Sequence, residues 1–498
     1  MGIVIVGGGP VGLMAACELR LYGIETVVLE RRTDIDPTIK AGAIQGRGVA
    51  TLDRRGLADR VREAGGEQLR YMDTLLRGRG LRGHFSGLFV LRQSRYGDER
   101  MLPVQQQALE RVLNERALEL GVDVRRGQAV REWRQDADGV TLVVADAADP
   151  DAETHELHAD WLIGADGGRS VIRKGGAFAF PGTDGVITGY QAIAELDDPD
   201  FMPLGWNRCA NGMVVNGPTP GRVLLVGFDG PPADRDAPVT AEELQAALRH
   251  ISGTEVGVRS ISTVTRFTDN ARQADTYRDG RVLLAGDAAH VHSPFGGQGL
   301  NLGLGDAVNL GWKLALVALG RAPQSLLDTY TAERHPVAAQ VLDNTRAQVA
   351  LMRPGPHTDA LRGVFTKLLD HEDANRWLTD LIGGSDLRYD LGSEPDTIGR
   401  FCPDLQMDTA DDDTVQLAER QRSGRGQLLI LNAEESQDTA QWIKTAAGWG
   451  DRVEIAVGTS AEAPSRAVLV RPDGFTAWTA ESEQSLEETL GRWFGPAD

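Results

Sequence analysis

The stretch Ile3-Val4-Ile5-Val6-Gly7-Gly8-Gly9-Pro10-Val11-Gly12 constrains this chain more than any other. Four β-branched residues in a row read as a buried parallel strand, apolar on both faces. The G-x-G-x-x-G that follows falls on Gly7, Gly9 and Gly12. The first glycine serves a tight turn, the second lets backbone approach a diphosphate, and the third lets helix pack on strand. A helix led by Pro10 and Val11 and running to Tyr22 would aim its free amides and positive dipole end at that diphosphate. Gly23 closes the helix, Thr26 to Leu29 makes a second strand, and Glu30 stands at its carboxyl end, where a carboxylate accepts both hydroxyls of a ribose. Arg31 is placed to lie against an adenine. Strand, glycine turn, helix, strand and acid together predict an adenine dinucleotide at the amino-terminal unit.

Size and charge narrow the class. A chain of 498 residues that is 41% hydrophobic can bury a large core in two or three domains. Its net charge is -20 with no basic stripe, which argues against nucleic acid or an anionic membrane as partner. The longest apolar runs, such as Leu314 to Leu319, fall far short of the roughly 20 residues that span a bilayer. The first apolar segment also lacks the charged start of a signal peptide, so a cytoplasmic location is expected. Cys17, Cys209 and Cys402 are single and widely spaced, which reads as structural thiols rather than a disulfide framework.

NAD and FAD both satisfy the amino-terminal fingerprint, so the discrimination lies further along. Trp161-Leu-Ile-Gly-Ala-Asp-Gly-Gly-Arg-Ser-Val-Ile-Arg173 is a second strand-turn signal, and Arg281-Val-Leu-Leu-Ala-Gly-Asp-Ala-Ala-His290 a third, ending in Gly286-Asp287. An Asp at a strand's carboxyl end can reach a polyol hydroxyl while the glycine beside it admits a cofactor. In this order and separation the three segments resemble the class A FAD-dependent aromatic monooxygenases, the para-hydroxybenzoate hydroxylase family with its bacterial aromatic polyketide and rifampicin hydroxylases. The resemblance covers nearly the whole chain.

That resemblance implies FAD, with Glu30 on the adenosine ribose, Asp287 on the ribityl chain, and Asp166-Gly167 serving both FAD and a transient NADPH or NADH. Ser170 and Arg173 complete a DGxxSxxR motif. Lys40 and Arg47 are the candidate cations of the segment that crosses the flavin, and Gln106 matches the glutamine on the diphosphate or ribityl side. Ser293-Pro-Phe-Gly-Gly-Gln-Gly-Leu-Asn-Leu302 is a glycine loop feeding a helix from about Leu300 to Leu319. Gly297, Gly299 and the amides of Leu300 and Asn301 would converge on the flavin's N1 and O2 edge and stabilise charge there. Pro294 matches the proline beside the ring. His290 and His292 are i,i+2 with no third ligand in view, so no metal site is expected.

The expected fold is α/β: a Rossmann-like FAD-binding domain in two parts, 1–175 and 277–385, an inserted, mainly antiparallel β-sheet substrate domain at 176–276, and a C-terminal thioredoxin-like domain at 400–498 without C-x-x-C. Gly212–Asn216 and Gly221–Phe228 read as strands, and Thr240 with Glu243 as a capping box opening a helix. Residues from Ser325 to about Leu381 read as helices packing the two domains together, on which Met352 and Trp377 are candidate pocket residues, although apolar residues on such helices are more often core. The function implied is NAD(P)H- and O2-consuming hydroxylation of a polycyclic, phenolic, polyketide-like molecule through a flavin C4a-hydroperoxide. Epoxidation or oxygen insertion is the related alternative, and a noncatalytic flavin-bound scaffold in a biosynthetic complex the alternative of another class. Halogenation is disfavoured, since the nearest approach to its signature is Gly205-Trp-Asn-Arg208. A homodimer is one expected assembly. No general base is identifiable from sequence.

Overall fold

The computed structural model describes all residues except 1, 67–82, 93, 95–100, 150, 218, 236, 393–394, 410–412 and 432–436. The predicted opening strand forms over Ile3–Val6, fully buried, and the predicted helix over Pro10–Leu21. Ile3 pairs in parallel with both Trp161 and Thr26. The resulting six-stranded sheet runs, edge to edge, through Arg278–Asp279, Val282–Leu284, Trp161–Gly164, Ile3–Val6, Thr26–Glu30 and Asp123–Arg126. All pairings are parallel except that of the first two strands. A parallel sheet must be covered on both faces. Here the helices Pro10–Leu21, Gln106–Glu119 and Gly299–Ala318 supply much of that cover, and their buried leucines and alanines join the strands in one core. Because the strands run the same way, Gly7, Glu30, Asp166 and Asp287 all emerge at one edge, the carboxyl end, where α/β sheets bind ligands.

A small three-stranded antiparallel sheet, Gln128–Gln135, Val140–Asp146 and His155–Ala159, has no counterpart in the sequence reading. The five-stranded antiparallel sheet in the expected substrate region orders Gly205–Cys209, Gly212–Asn216, Arg222–Gly227, Thr188–Leu196 and Val258–Phe267. One face packs on the helix Ala241–Ser252 through Val214, Val223, Leu225, Leu244 and Leu248. The other face looks toward the parallel sheet. Only half of the expected capping box forms. Thr240 Oγ1 accepts from Glu243 N–H at 3.2 Å, but the Glu243 carboxylate is taken by Arg266 and by the Tyr190 hydroxyl. A partly buried ion pair with Arg266 outcompeted the exposed cap.

The terminal unit is a six-stranded sheet in the order Thr414–Gln416, Gln406–Thr409, Val453–Thr459, Gly426–Leu431, Ala467–Val470 and Thr476–Thr479, closed by the helix Leu486–Phe494. That helix carries a complete capping box between Ser485 and Glu488. Its thioredoxin-like sheet has no paired cysteines, and the three cysteines of the chain are free. Among the described residues no helix is long and apolar enough to cross a membrane.

Charged side chains tie the terminal unit to the rest. Arg471, fully buried, donates to Glu333 Oε1 at 2.8 Å and Oε2 at 2.7 Å, and also engages Asp473. Lys313 Nζ lies 2.9 Å from Glu333 Oε2, and Asn309 donates to both Glu333 and Asp473. Burial by itself would raise the Glu333 pKa, but Arg471 and Lys313 outweigh it and hold the carboxylate below its ordinary range. Lys313 moves the other way: burial brings its pKa down to about 8, and the shared Arg471 repels it while Glu333 only partly offsets the loss. Nearby, Arg55 bonds both oxygens of Glu18, on the first helix, at 2.6 and 2.8 Å, and donates to the carbonyls of Gln421 and Pro472.

Candidate active site

Along the carboxyl edge of the parallel sheet, and beneath the antiparallel one, runs a single cavity of about 1660 Å³. Gly7, Gly9, Pro10 and Val11 line it from the first turn. Gly7 has φ +112°, and a Cβ there would come within 2.3 Å of the Ala165 carbonyl oxygen. Gly12 does not reach the cavity. It lies behind, where a Cβ would sit 2.0 Å from the Gly7 carbonyl oxygen, so its work is packing. By contrast a Cβ at Gly9 would meet no atom within 4 Å; that side of the turn faces open space of the kind a diphosphate needs. Glu30 lines the same end, with Gly8 N–H donating to Oε2 at 2.7 Å and Arg32 N–H to Oε1 at 2.8 Å. These amides fix the carboxylate and leave it lone pairs for a ribose. Arg31 lies alongside.

The DGxxSxxR motif explains itself locally. Asp166 Oδ2 accepts from the amides of Val171 at 2.6 Å and Ile172 at 3.3 Å, and Ser170 Oγ accepts from Arg173 N–H at 2.9 Å. Arg173 then donates to the carbonyls of Gly168 at 2.8 Å and Ala288 at 2.7 Å, clamping the second loop to the third. Among the described residues Asp166 Oδ1 is buried without a hydrogen-bond partner, and burial raises the carboxyl pKa. An orphaned buried acceptor beside a cavity fits a donor group of a bound ligand. Asp287 is exposed into the cavity, whereas Gly286 sits below it, where a Cβ would meet Val11 at 3.0 Å.

The third loop is set by buried charge. Gly286 N–H donates to Asp306 Oδ2 at 3.0 Å, and His290 Nε2 lies 2.7 Å from the same oxygen. Arg334 Nε bonds Asp306 Oδ1 at 2.7 Å and also reaches the Leu302 carbonyl and the Tyr389 hydroxyl. Burial opposes the Asp306 charge, but Arg334 and His290 prevail and keep its pKa low. His290 is thus a structural hydrogen-bonder. His292 Nδ1 donates to the Ser293 carbonyl at 2.7 Å, and burial lowers its pKa, favouring the neutral ring.

Pro294, Gly297, Gly299 and Leu300 line the cavity ahead of the helix Gly299–Ala318, which begins one residue earlier than predicted. Asn301 points elsewhere: its side chain accepts from Gln45 N–H at 2.9 Å and donates to the Gly297 carbonyl at 2.9 Å, bracing the loop against the segment that crosses it. Of three consecutive glutamines only Gln106 lines the cavity. Lys40 also does, paired with Asp36 at 3.1 Å. Arg47 is not brought there; its guanidinium lies over the Phe401 ring at 3.9 Å, against the terminal unit.

The far wall was invisible in the sequence. His84 stands 4.5 Å from Trp206 and 5.1 Å from Phe89, centroid to centroid, while Phe295 meets Trp206 at 6.3 Å and Phe267 at 6.2 Å. All five line the cavity, with Gln191, Leu224 and Arg222. Burial lowers the His84 pKa to about 4. Its Nδ1 accepts from Gly87 N–H at 3.3 Å, so the neutral ring carries its proton on Nε2 and is a donor. Neither candidate pocket residue of the later helices lines the cavity. Met352 is buried behind the wall with Met213 and Phe295, and Trp377 is 52% exposed elsewhere. Strand register and loop folding decide this wall, and no local motif encodes either.

A dinucleotide-sized trough with a glycine turn, fixed acids and a helix amino end, continuous with an aromatic wall, defines a dinucleotide-binding site opening onto an aromatic-lined pocket. A family model for the FAD binding domain matches residues 1–345, and one for the aromatic-ring hydroxylase C-terminal region matches residues 396–497. The chain belongs to this family of FAD-dependent monooxygenases, and FAD is its cofactor. Among its relatives, the 12-dehydrotetracycline 5-monooxygenase/anhydrotetracycline 6-monooxygenase of Streptomyces rimosus is 42% identical over 99% of each chain. The rifampicin monooxygenase of Streptomyces venezuelae is 40% identical over 99% of each. The solved anhydrotetracycline hydroxylase of Streptomyces rimosus superposes with a TM-score of 0.88 at 40% identity, covering 100% of this chain and 99% of that one.

Proposed function

We propose that this monooxygenase hydroxylates a polycyclic, phenolic, polyketide-like molecule, with NAD(P)H as electron donor and O2 as oxygen source. The observation that carries the reading is the continuity of the cavity: the loops of Gly9, Asp166, Asp287 and Pro294 and the rings of Trp206, Phe267 and Phe295 line one space. Relatives named for tetracycline-type and rifampicin substrates, similar over the full length, support a large fused-ring ligand.

When bound, FAD supplies the oxygen-transfer chemistry, taking electrons from NAD(P)H and activating O2. The protein's part is to bind, orient and exclude water. Glu30 would hold the adenosine ribose, the Gly9 turn the diphosphate, and Asp287 the ribityl hydroxyls. The amides of Leu300 and Asn301, at the positive end of the helix Gly299–Ala318, would stabilise negative charge on the N1 and O2 edge of the ring system. Pro294 would offer that ring a wall without a donor. The aromatic wall would hold the substrate flat, with His84 Nε2–H as a fixed donor.

The test is direct. Purified yellow protein is mixed anaerobically with NADPH in the presence and absence of polycyclic phenols, and then exposed to O2. Ligand-accelerated flavin bleaching, followed by O2 uptake and a product heavier by one oxygen atom, is the expected result. Product structure by NMR separates hydroxylation from epoxidation or ring insertion. Bleaching that no phenol accelerates would overturn the reading.

A further inference from the structure

Among the described residues the inserted region 176–276 contributes three ionisable side chains to the cavity lining, all arginines, of which only Arg222 stands on the five-stranded sheet; the others are Arg235 and Arg272. Arg272 is paired with Asp184. Arg235, on the loop before the helix Ala241–Ser252, lies near Arg169 of the flavin-side loop. Arg222 is different. Among the described residues its guanidinium has neither a carboxylate nor a hydrogen-bond partner. Burial lowers its pKa, and no neighbouring charge offsets that cost.

Strand alternation says where this cation points. On Arg222–Gly227, Val223 and Leu225 face the covering helix, whereas Leu224 and Val226 pack in the cluster of Phe295, Trp206 and Phe267. Arg222 shares their face. Opposite it on the neighbouring strand is Ile193, and opposite Leu224 is Gln191, also a cavity residue. The cavity's carboxylates, Glu30, Asp34, Asp36, Glu110, Asp166 and Asp287, all belong to the flavin-side loops and helices. The remaining groups on the aromatic side are donors or neutral, His84 included. A guanidinium held partly buried without a partner among the described residues is costly unless a ligand supplies the anion.

We infer that Arg222 is the anion-recognition residue of the substrate pocket, binding an ionised oxygen, a phenolate or enolate, on a flat aromatic ligand and so selecting substrates with an acidic hydroxyl. The assignment rests on the aromatic-hydroxylase reading of the same site. It also accounts for the aromatic wall offering no carboxylate as general base among the described residues. The hydroxyl O–H bond breaks with its electron pair left on oxygen, the proton passes to water, and Arg222 stabilises the oxyanion, whose electron-rich ring is then the better nucleophile. An opposite charge at contact distance lowers an acid's pKa by about 1 to 3 units.

The experiment uses FAD-loaded protein and 1,2-dihydroxyanthraquinone, a polycyclic phenol whose colour reports its ionisation at wavelengths beyond the flavin band. Spectrophotometric titration of the bound probe should show a midpoint at least about 1 pH unit below that of the free probe. In Arg222→Gln the midpoint should return to the free value, with affinity for the ionised probe reduced about tenfold or more; Arg222→Lys should recover part of the shift. In the wild-type protein alone, the O-methyl ethers of the probe should bind at least about tenfold more weakly, a comparison that needs no variant to fold. Equal midpoints for free and wild-type-bound probe, or equal affinity for probe and ethers, overturn the assignment. NADPH-driven bleaching read in the same cuvette tests the hydroxylase reading separately: a shifted midpoint without accelerated bleaching keeps Arg222 as an anion site and removes the hydroxylase.

Discussion

Two parts of this molecule treat buried charge in opposite ways. Where the terminal unit meets the flavin-binding sheet, Arg471, Glu333, Asp473, Lys313 and Asn309 form a closed set in which each charge faces its opposite. On the substrate side Arg222 is partly buried and, among the described residues, has no carboxylate facing it. The first arrangement is complete without a ligand and specifies how two units dock. The second is incomplete, and incompleteness of that kind marks a place where something else binds. Removing a charge should therefore cost stability at the interface and cost recognition in the pocket.

The largest effect is expected for Arg471→Met. It leaves Glu333 and Asp473 buried with too little positive charge, a loss of about 3 to 5 kcal/mol, visible as a much lower midpoint in thermal or denaturant unfolding. A loss under about 1 kcal/mol would erase the distinction between the regions. Asp306→Asn comes next, at about 3 kcal/mol, because it strands Arg334 and releases Gly286 N–H and His290. Weaker FAD retention on dilution should accompany it, since the Gly286 turn lines up the third loop.

Lys313 gives a smaller and oppositely signed effect. Its folded pKa, about 8, lies below the ordinary lysine value of about 10.4. Between those values the unfolded chain binds the proton and the folded one does not, so stability rises with pH across that window, by at most about 1.4 kcal/mol per pH unit. Lys313→Met should flatten this rise in unfolding measured from pH 8 to 10, and a slope that persists would assign it to other groups. At the end of the scale, Arg222→Gln should change folding stability by no more than about 0.5 kcal/mol, while altering ligand binding as described above. A large destabilisation would mean that Arg222 is structural after all.

Legibility in the sequence follows the same division. The parallel strands, the glycine turn, Glu30 and the helix amino ends were readable because local spacing encodes them: each element carries its own start and stop residues within a few positions. Register was not. Nothing near Arg222 says whether it shares a face with Leu224 over the cavity, and His84, Trp206 and Phe295 meet only through chain folding across some two hundred residues. Arg47 shows the converse: beside a flavin-crossing segment it looks like a ligand contact, yet Phe401, far away in sequence, claims it. Glu243 was misjudged similarly, since the competitor for its carboxylate, Arg266, arrives from another strand.

Arg55 carries one last implication. A single guanidinium grips Glu18 on the first helix and two main-chain oxygens of the terminal unit, at Gln421 and Pro472. Anyone grafting a foreign tail onto this catalyst, or shuffling tails among its cousins to broaden drug-like scaffolds, inherits that three-way knot. Hybrids joined upstream of residue 400 will need loops that present both oxygens to Arg55, or the engineered seam will begin unravelling at the first helix of the nucleotide fold.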